Sequence, residues 1–213
     1  MGRYLALTST PMSSLSVLVL NASLKHGPEP SSTQEVAEMV LGHMKEHSEI
    51  EVTSIRLSDK NIPVGLGYRE SEDDEWPAIV EEIQKADIIL FATPIWWGGR
   101  SSLMQRVIER MDAFDEDYIK EGRSALLNKV AGIVITGSED GAQAVLAGMM
   151  EVLTFLNFTL PPQCCTYWVG EVGMDPKTDS ERRRKNPAVD HMAQNTARNL
   201  VAVAQMLKEQ PLV

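Results

Sequence analysis

Three short apolar segments constrain the fold of this chain more than any other feature. They are residues 16–21 (SVLVLN), 87–93 (DIILFAT) and 130–136 (VAGIVIT). A strand with one face in water alternates polar and apolar residues, whereas these runs predict strands buried on both faces. Each is followed by an amphipathic helical pattern. Alternating strands and helices predict a parallel sheet, because parallel strands need crossover connections.

The remaining patterns bring the prediction to five strands and five helices. Residues 51–57 mix polar and apolar side chains, which is typical of an edge strand, and the last strand falls within residues 159–169. Residues 192–207 predict a final helix, whereas the charged segments 115–129 and 171–186 predict irregular structure. We therefore predict an α/β fold with three layers, doubly wound around a five-stranded parallel sheet. Ligands of such folds bind at the carboxyl ends of the strands.

Length and charge limit the possible functions. A chain of 213 residues fits one domain, expected at residues 16–213 after an N-terminal tail at residues 1–15. The net charge of −10 argues against nucleic-acid binding. The sequence contains no apolar run long enough for a membrane span or a signal peptide, so we expect no membrane association and a cytoplasmic location.

The cysteines and histidines do not form a metal-binding or redox motif. Cys164 and Cys165 are adjacent and lack the C-x-x-C spacing, so they are interpreted as small buried side chains. Among four scattered histidines, His43 and His47 are four residues apart, but Met44 stands where H-E-x-x-H has its glutamate. We expect no metal site.

A hydroxyl-rich turn joins the first strand to the first helix. The unpaired N–H groups and the partial positive charge of a helix N-terminus attract anions, and hydroxyls add further donors. Serines and threonines before a helix also serve as N-caps without any ligand, and neither the dinucleotide nor the P-loop fingerprint is present. The predicted phosphate-binding residues are Ser23, Lys25, Ser31, Ser32 and Thr33.

Two further turns are predicted at the same edge of the sheet. Residues 93–99 (TPIWWGG) contain two tryptophans and two glycines, and residues 136–141 (TGSEDG) are small and polar. One tryptophan would be explained by core packing, but two in sequence within a glycine-rich turn are harder to bury together. An aromatic wall beside a phosphate site predicts FMN as the ligand. The predicted contacts from these turns are Pro94, Ile95, Trp96, Trp97, Gly98, Thr136, Gly137, Ser138 and Gly141.

These motifs resemble those of the NAD(P)H-dependent FMN reductases of the flavodoxin-like superfamily, over residues 16–207. ASLK at residues 22–25 is similar to the Gly-Ser-x-Arg entry to that family's phosphate loop, and residues 31–33 occupy its Ser/Asn/Thr cluster. TPIWWG at residues 93–98 resembles the turn that meets the flavin ring. The chain departs from the pattern at Ala22, where glycine is usual, at Trp96, where tyrosine is commoner, and in a longer phosphate loop.

The resemblance implies FMN and NADPH (or NADH) as cofactors and a sheet order of 2-1-3-4-5. It also implies an oxidoreductase that passes electrons to a small-molecule acceptor, such as a quinone, a flavin, a nitro or azo compound or a metal ion. A homodimer or homotetramer is expected as well. Small apolar residues of the last helix (Ala193, Ala197 and Ala204) and two tryptophans (Trp76 and Trp97) are candidates for surfaces that a partner covers.

We predict no catalytic side chain, because no acid–base pair or nucleophile stands out and a flavin carries the redox chemistry itself. A non-enzymatic electron carrier of the flavodoxin type is the alternative, and the acidic charge favours it. The length of the chain exceeds what a minimal carrier needs. Lys25 and Arg100 are the cations nearest the predicted site, which favours NADPH over NADH.

Overall fold

A sheet with five parallel strands lies at the centre of the computed structural model, which describes residues 14–138 and 140–213. The strand order is β2-β1-β3-β5-β6, and β4 pairs antiparallel with β3. Counting the parallel strands alone, this is the predicted order 2-1-3-4-5. The strands are β1 (Leu15–Asn21), β2 (Ile50–Arg56), β3 (Ile88–Trp96), the two-residue β4 (Gly99–Arg100), β5 (Val130–Gly137) and β6 (Cys165–Val169).

Helices cover both faces of the sheet, as a doubly wound fold requires. One hydrophobic core contains residues of α1 and α7, and the other contains residues of α2, α3, α4 and α5. The helices are α1 (Ser32–Met44), α2 (Trp76–Lys85), α3 (Ser102–Arg110), α4 (Asp112–Glu121), α5 (Ala142–Phe155), α6 (Pro176–Arg184) and α7 (Pro187–Glu209), with a 3-10 turn at Leu57–Asp59.

The apolar strands supply both cores at once. In β1, Val17 and Val19 belong to the core under α1 and α7, whereas Leu18 and Leu20 belong to the opposite core. Successive side chains of a strand point to opposite faces, so a strand covered on both sides must be apolar throughout. Within the described residues, β2 pairs with β1 alone and is mostly exposed, which confirms the predicted edge strand.

Two charged segments that were predicted to be irregular contain helices. Within residues 115–129, α4 continues to Glu121 and ends at Gly122 with φ 73°. Within residues 171–186, Asp175 caps α6 by accepting a hydrogen bond from the Thr178 N–H, and Pro176 follows at the first helical position. The prediction was wrong because high charge was interpreted as loop, although these start and stop signals are legible in the sequence.

The N-terminal tail prediction falls largely outside the described residues. The first thirteen residues are not described, and β1 begins at Leu15, one residue before the predicted strand. The division into a tail and one domain stays a prediction. In the described part of the chain, the helices are all too short or too polar to cross a bilayer.

Four of the five residues that were predicted to form surfaces covered by a partner are instead buried within the chain itself. Ala193, Ala197 and Ala204 are buried inside the core that α7 shares with α1, and Trp76, the first residue of α2, is buried in the opposite core. Trp97 alone among the five is exposed. The homodimer or homotetramer stays a prediction.

A buried ion pair holds the long connection between β2 and α2. Arg110 of α3 donates to Asp74 over 2.8 Å, and both side chains are fully buried. The same guanidinium donates to the carbonyls of Pro63 and Gly67. Burial raises the pKa of the Asp74 carboxyl, but hydrogen bonds from Arg110 and from the backbone N–H groups of Trp76 and Glu70 outweigh it and hold the pKa below its ordinary value.

We expect Arg110→Met to reduce the free energy of unfolding by about 3–5 kcal/mol, because it leaves a buried carboxylate without its partner. Urea unfolding of the apoprotein measures this change. Lys120→Met is the matched control, since Lys120 pairs with Glu116 at an exposed position and its loss should have little effect. Equal destabilisation by the two variants would contradict the assignment.

The lowered pKa of Asp74 also determines how the free energy of unfolding depends on pH. The ionised Asp74 carboxylate stabilises the fold fully above its unfolded-state pKa, about 3.9, and this stabilisation is lost as the pH falls through the lower folded-state pKa. Asp74→Asn should therefore flatten the acid side of the stability profile.

Candidate functional site

A cavity of about 300 Å³ lies at the carboxyl ends of β1, β3 and β5, where the three predicted turns meet. Its lining includes all the predicted site residues except three, Trp97, Gly98 and Gly141. The predicted residues in the lining are Ser23, Lys25, Ser31, Ser32, Thr33, Pro94, Ile95, Trp96, Thr136, Gly137 and Ser138.

Buried Asn21 shapes the first turn. Its side-chain amide donates to the Gln34 side chain over 2.9 Å, and its oxygen accepts from the Ser23 N–H over 3.0 Å. Ser31 is the N-cap of α1 and accepts from the Gln34 N–H over 3.2 Å, which is the role left open as the alternative. Among the described residues, no hydrogen-bond partner is found for the Ser32 hydroxyl. Ser32 is therefore available to a ligand.

Four buried hydroxyls that join the strand ends fix the shape of the cavity. The Thr33 and Thr136 hydroxyls are 2.8 Å apart and connect α1 to β5. Ser101 donates to the Ala22 carbonyl over 2.8 Å, and its N–H donates to Thr93 over 3.1 Å. Ser101 and Thr93 were not predicted as site residues, although a serine pair before a helical pattern is an N-cap signal.

The second turn is a β-hairpin. β3 continues as far as Trp96. Trp97 and Gly98 then form a two-residue connection, after which β4 pairs back onto β3. Both connecting residues have positive φ, 49° and 77°, as hairpins of this length require. Trp96 lines the cavity, whereas Trp97 lies outside the lining and is 89% exposed.

The hairpin packs against the start of α5. Gly141 has φ 131°, and a Cβ atom on it would lie 2.8 Å from the Cα atom of Gly98. A side chain at Gly141 would therefore push the hairpin away. Gly98 and Gly141 hold the second and third turns together from outside the cavity.

A fourth wall was missed by the sequence-based prediction. It comes from residues 171–184, which include α6 and which we call the strap. The strap follows the carboxyl end of β6, the same edge of the sheet as the other turns, and this position could have indicated its role. Its lining residues are Glu171, Gly173, Met174, Pro176 and Asp179.

Arginines at the end of the strap neutralise the carboxylates around the cavity. Arg183 is buried and donates to both Glu35 of α1 and Asp179. Arg184 adds a bond to Glu35 over 2.7 Å. Burial raises the pKa of the Glu35 carboxyl, but hydrogen bonds from Arg183, Ser180 and Arg184 outweigh it and leave the pKa below its ordinary value. Glu35 is thus ionised at neutral pH and compensated.

The two predicted cations have different surroundings. Lys25 lines the cavity, and its ammonium donates to the Pro30 carbonyl over 3.2 Å. Arg100 does not belong to the lining, and its Nε donates to the Gln105 side chain over 2.7 Å. Lys25 remains the better placed of the two for an anionic ligand.

A larger cavity, about 600 Å³, lies beside edge strand β6 and contains none of the predicted site residues. Its lining is mainly apolar and includes Cys164 and Cys165. Burial raises the pKa of both thiols, that of Cys165 to about 12, so both are neutral. Cys164 is buried, as predicted, whereas Cys165 is partly exposed. Within residues 14–138 and 140–213, no cluster of three His, Cys, Asp or Glu side chains could hold a metal ion.

A family model described as NADPH-dependent FMN reductase matches residues 15–170. This chain belongs to that family. For the matched residues, membership confirms the predicted enzyme class, an NAD(P)H-dependent flavin oxidoreductase, and the predicted cofactors, FMN and NAD(P)H.

Similar proteins extend the match beyond residue 170. The 8-demethyl-8-aminoriboflavin-5'-phosphate synthase of Streptomyces davaonensis is 29% identical over 92% of this chain and 80% of its own length. The crystal structure of RosB with a bound 8-demethyl-8-formylriboflavin-5'-phosphate intermediate has a TM-score of 0.78 at 30% identity, covering 93% of this chain and 82% of RosB. The divalent metal cation transporter MntH of Mycobacterium bovis is 35% identical over 91% of this chain, which spans only 29% of that protein.

We expect Ser32→Ala to weaken FMN binding about 10- to 100-fold. A hydrogen bond to a charged group contributes roughly 1.5–3 kcal/mol, and about 1.4 kcal/mol is a factor of ten. Titration of the apoprotein with FMN, followed by flavin fluorescence, measures the change. Riboflavin lacks the phosphate, so its affinity should be the same in both proteins, and Ser48→Ala, far from the cavity, should bind FMN normally. Equal losses for FMN and riboflavin would refute phosphate contact by Ser32.

We expect Arg183→Met to weaken FMN binding about tenfold at low salt, because it leaves the Asp179 carboxylate without its partner and Glu35 with Arg184 alone near a bound anion. The loss should shrink at high salt, since screening weakens repulsion.

Adding Glu35→Gln and Asp179→Asn to Arg183→Met should restore part of the affinity for FMN. Arg198→Met removes an exposed arginine bonded to Asn195 of α7 and is the matched charge control. A loss in Arg183→Met that neither salt nor the added substitutions relieve would show that Arg183 acts through packing alone.

Proposed function

We propose that this chain holds FMN in the 300 Å³ cavity and passes electrons from NADPH, or NADH, to a small conjugated acceptor. One observation carries the proposal. The Ser32 hydroxyl, the N-terminus of α1 and the Trp96 indole all border one cavity at the switch point of the sheet. Such a combination of anion donors and an aromatic wall fits a ligand that has a phosphate at one end and a flat ring at the other.

The donor set fits the phosphate of FMN. In the first turn of α1, the Gln34 N–H bonds to the Ser31 side chain and the Glu35 N–H bonds to the Ser31 carbonyl, which leaves the N–H groups of Ser32 and Thr33 for a ligand. Lys25 adds a positive charge at the mouth. Glu171 and Asp179 line the same cavity, but Arg182 and Arg183 pair with them, so an anion meets little net repulsion.

The protein's part in the reaction is positioning. The hydride and electron transfer would be the chemistry of the flavin ring when FMN is bound. The Thr33–Thr136 and Ser101–Ala22 bonds keep the three turns in place, so the ring meets a preformed wall. No proton donor is required of the lining carboxylates, both of which are engaged by arginine. A shared opening at the hairpin lets nucleotide and acceptor bind in turn.

A second candidate is that the bound flavin is itself the substrate. The similarity to the aminoriboflavin phosphate synthase and to RosB favours it, because those matches continue past residue 170, where the family model ends and the strap begins. In that case the strap would enclose the part of the flavin that is modified.

Anaerobic mixing of the FMN-loaded protein with each nucleotide tests the proposal. We expect NADPH to bleach the flavin absorbance band faster than NADH, and a quinone added afterwards to restore it. Mass spectrometry of the released flavin should find FMN unchanged, whereas an altered mass would support the second candidate. If neither nucleotide bleaches the flavin but a reductase partner does, the chain is an electron carrier.

A further inference from the structure

The two adjacent tryptophans occupy different environments. Trp96 is the last residue of β3, half exposed, and belongs to the lining of the cavity. Trp97 is the first residue of the hairpin connection, 89% exposed, and lies outside that lining. One of the two indoles can therefore meet a cofactor in the cavity, and the other is exposed to solvent on the neighbouring residue of the hairpin.

The backbone that carries Trp97 is well anchored. Ile95, two residues before it, is buried against Gly137, where an added Cβ atom would lie 2.9 Å from the Cβ of Ile95. Gly98, directly after Trp97, packs against Gly141 in the same close manner. The hairpin connection is therefore held on both sides of Trp97, so its indole has a defined position.

Neither packing nor local preference explains a tryptophan at this position. Its φ of 49° suits glycine, asparagine or aspartate, and a bulky residue there carries a conformational cost. An indole that is 89% exposed recovers little of that cost by burial. The side chain is therefore better explained by something that covers it only transiently.

We propose that Trp97 is a specificity-determining residue that stacks on a planar conjugated acceptor, such as a quinone or nitroaromatic compound, at the mouth of the flavin site. The inference rests on the proposed function, since it assigns the acceptor to the same opening. Indole faces stack on flat rings with little loss of side-chain entropy, because only two torsions must be fixed. A compact acceptor with no flat face gains nothing from such a platform.

The test compares a flat and a compact acceptor in the FMN-loaded wild type, Trp97→Ala and Trp97→Phe. Menadione is the flat probe, and hexaammineruthenium(III) is the compact one. We expect Trp97→Ala to raise the KM for menadione roughly 5- to 100-fold, the range that loss of one ring-stacking contact gives, with the ruthenium complex unaffected. Trp97→Phe, which keeps an aromatic face, should recover most of the loss.

Binding without turnover gives an independent measurement. Equilibrium dialysis of menadione against the oxidised FMN-loaded protein, with no nucleotide present, should show the same loss in Trp97→Ala. The FMN dissociation constant should stay unchanged in Trp97→Ala and rise in Trp96→Ala. This measurement does not depend on NAD(P)H oxidation, so it separates failure of this inference from failure of the proposed reaction.

Two results would overturn the inference. The first is an unchanged menadione dissociation constant in Trp97→Ala, or no menadione binding by the wild type. The second is a fall in sedimentation coefficient in Trp97→Ala, together with equal losses for both acceptors, which would assign the indole to contact with a second copy of this chain.

Discussion

The structure depends on one constraint, that parallel strands buried on both faces must all end at the same edge of the sheet. β1, β3 and β5 pair side by side in parallel, so the turns that follow Asn21, Trp96 and Gly137 are brought together whatever their own sequences are. The apolar strand residues create the meeting point, and the polar residues just beyond them give it chemistry. The buried Thr33–Thr136 and Ser101–Ala22 bonds then fix the spacing between the turns.

The negative charge of the chain is a second constraint on the site. A chain with a net charge of −10 must hold an anion against its own field, and two carboxylates, Glu171 and Asp179, line the cavity itself. The strap compensates for this with arginines that pair with these residues and with Glu35. Neutralising the carboxylates in this way leaves the N-terminus of α1 and Lys25 as the groups that decide the local potential. The strap thus has both a steric and an electrostatic part in the site.

The sequence was sufficient for the parallel sheet and most of the lining, because uninterrupted apolar runs and the turns after them are local signals, whereas the order of the strands came from the resemblance to the reductase family. The prediction missed α4, α6 and the strap, because their high charge outweighed the helix signals at Gly122 and Asp175. Their charged composition resembles a solvated loop, and only the tertiary bonds of Arg183 show where the charges are used. Likewise, the sequence placed Trp96 and Trp97 in one turn, but the continuation of β3 and the hairpin geometry separate their environments. Long-range pairing of charges and the exact end of a strand are set by packing, which a single sequence does not reveal.

The different environments of Trp96 and Trp97 bear on how specificity for an acceptor can arise in a flavin enzyme. When the cofactor carries the chemistry, the groups that hold it differ little in role from one reaction to another, and choice among acceptors falls to residues at the opening. In this chain the inner groups are buried and tied by hydrogen bonds, as Thr33, Ser101 and Thr136 are, so substitution there disturbs the cavity itself. Trp97 takes no part in these hydrogen bonds and is 89% exposed. If FMN and its acceptor bind as proposed, a change at the hairpin tip would alter which acceptor binds without loosening the cofactor.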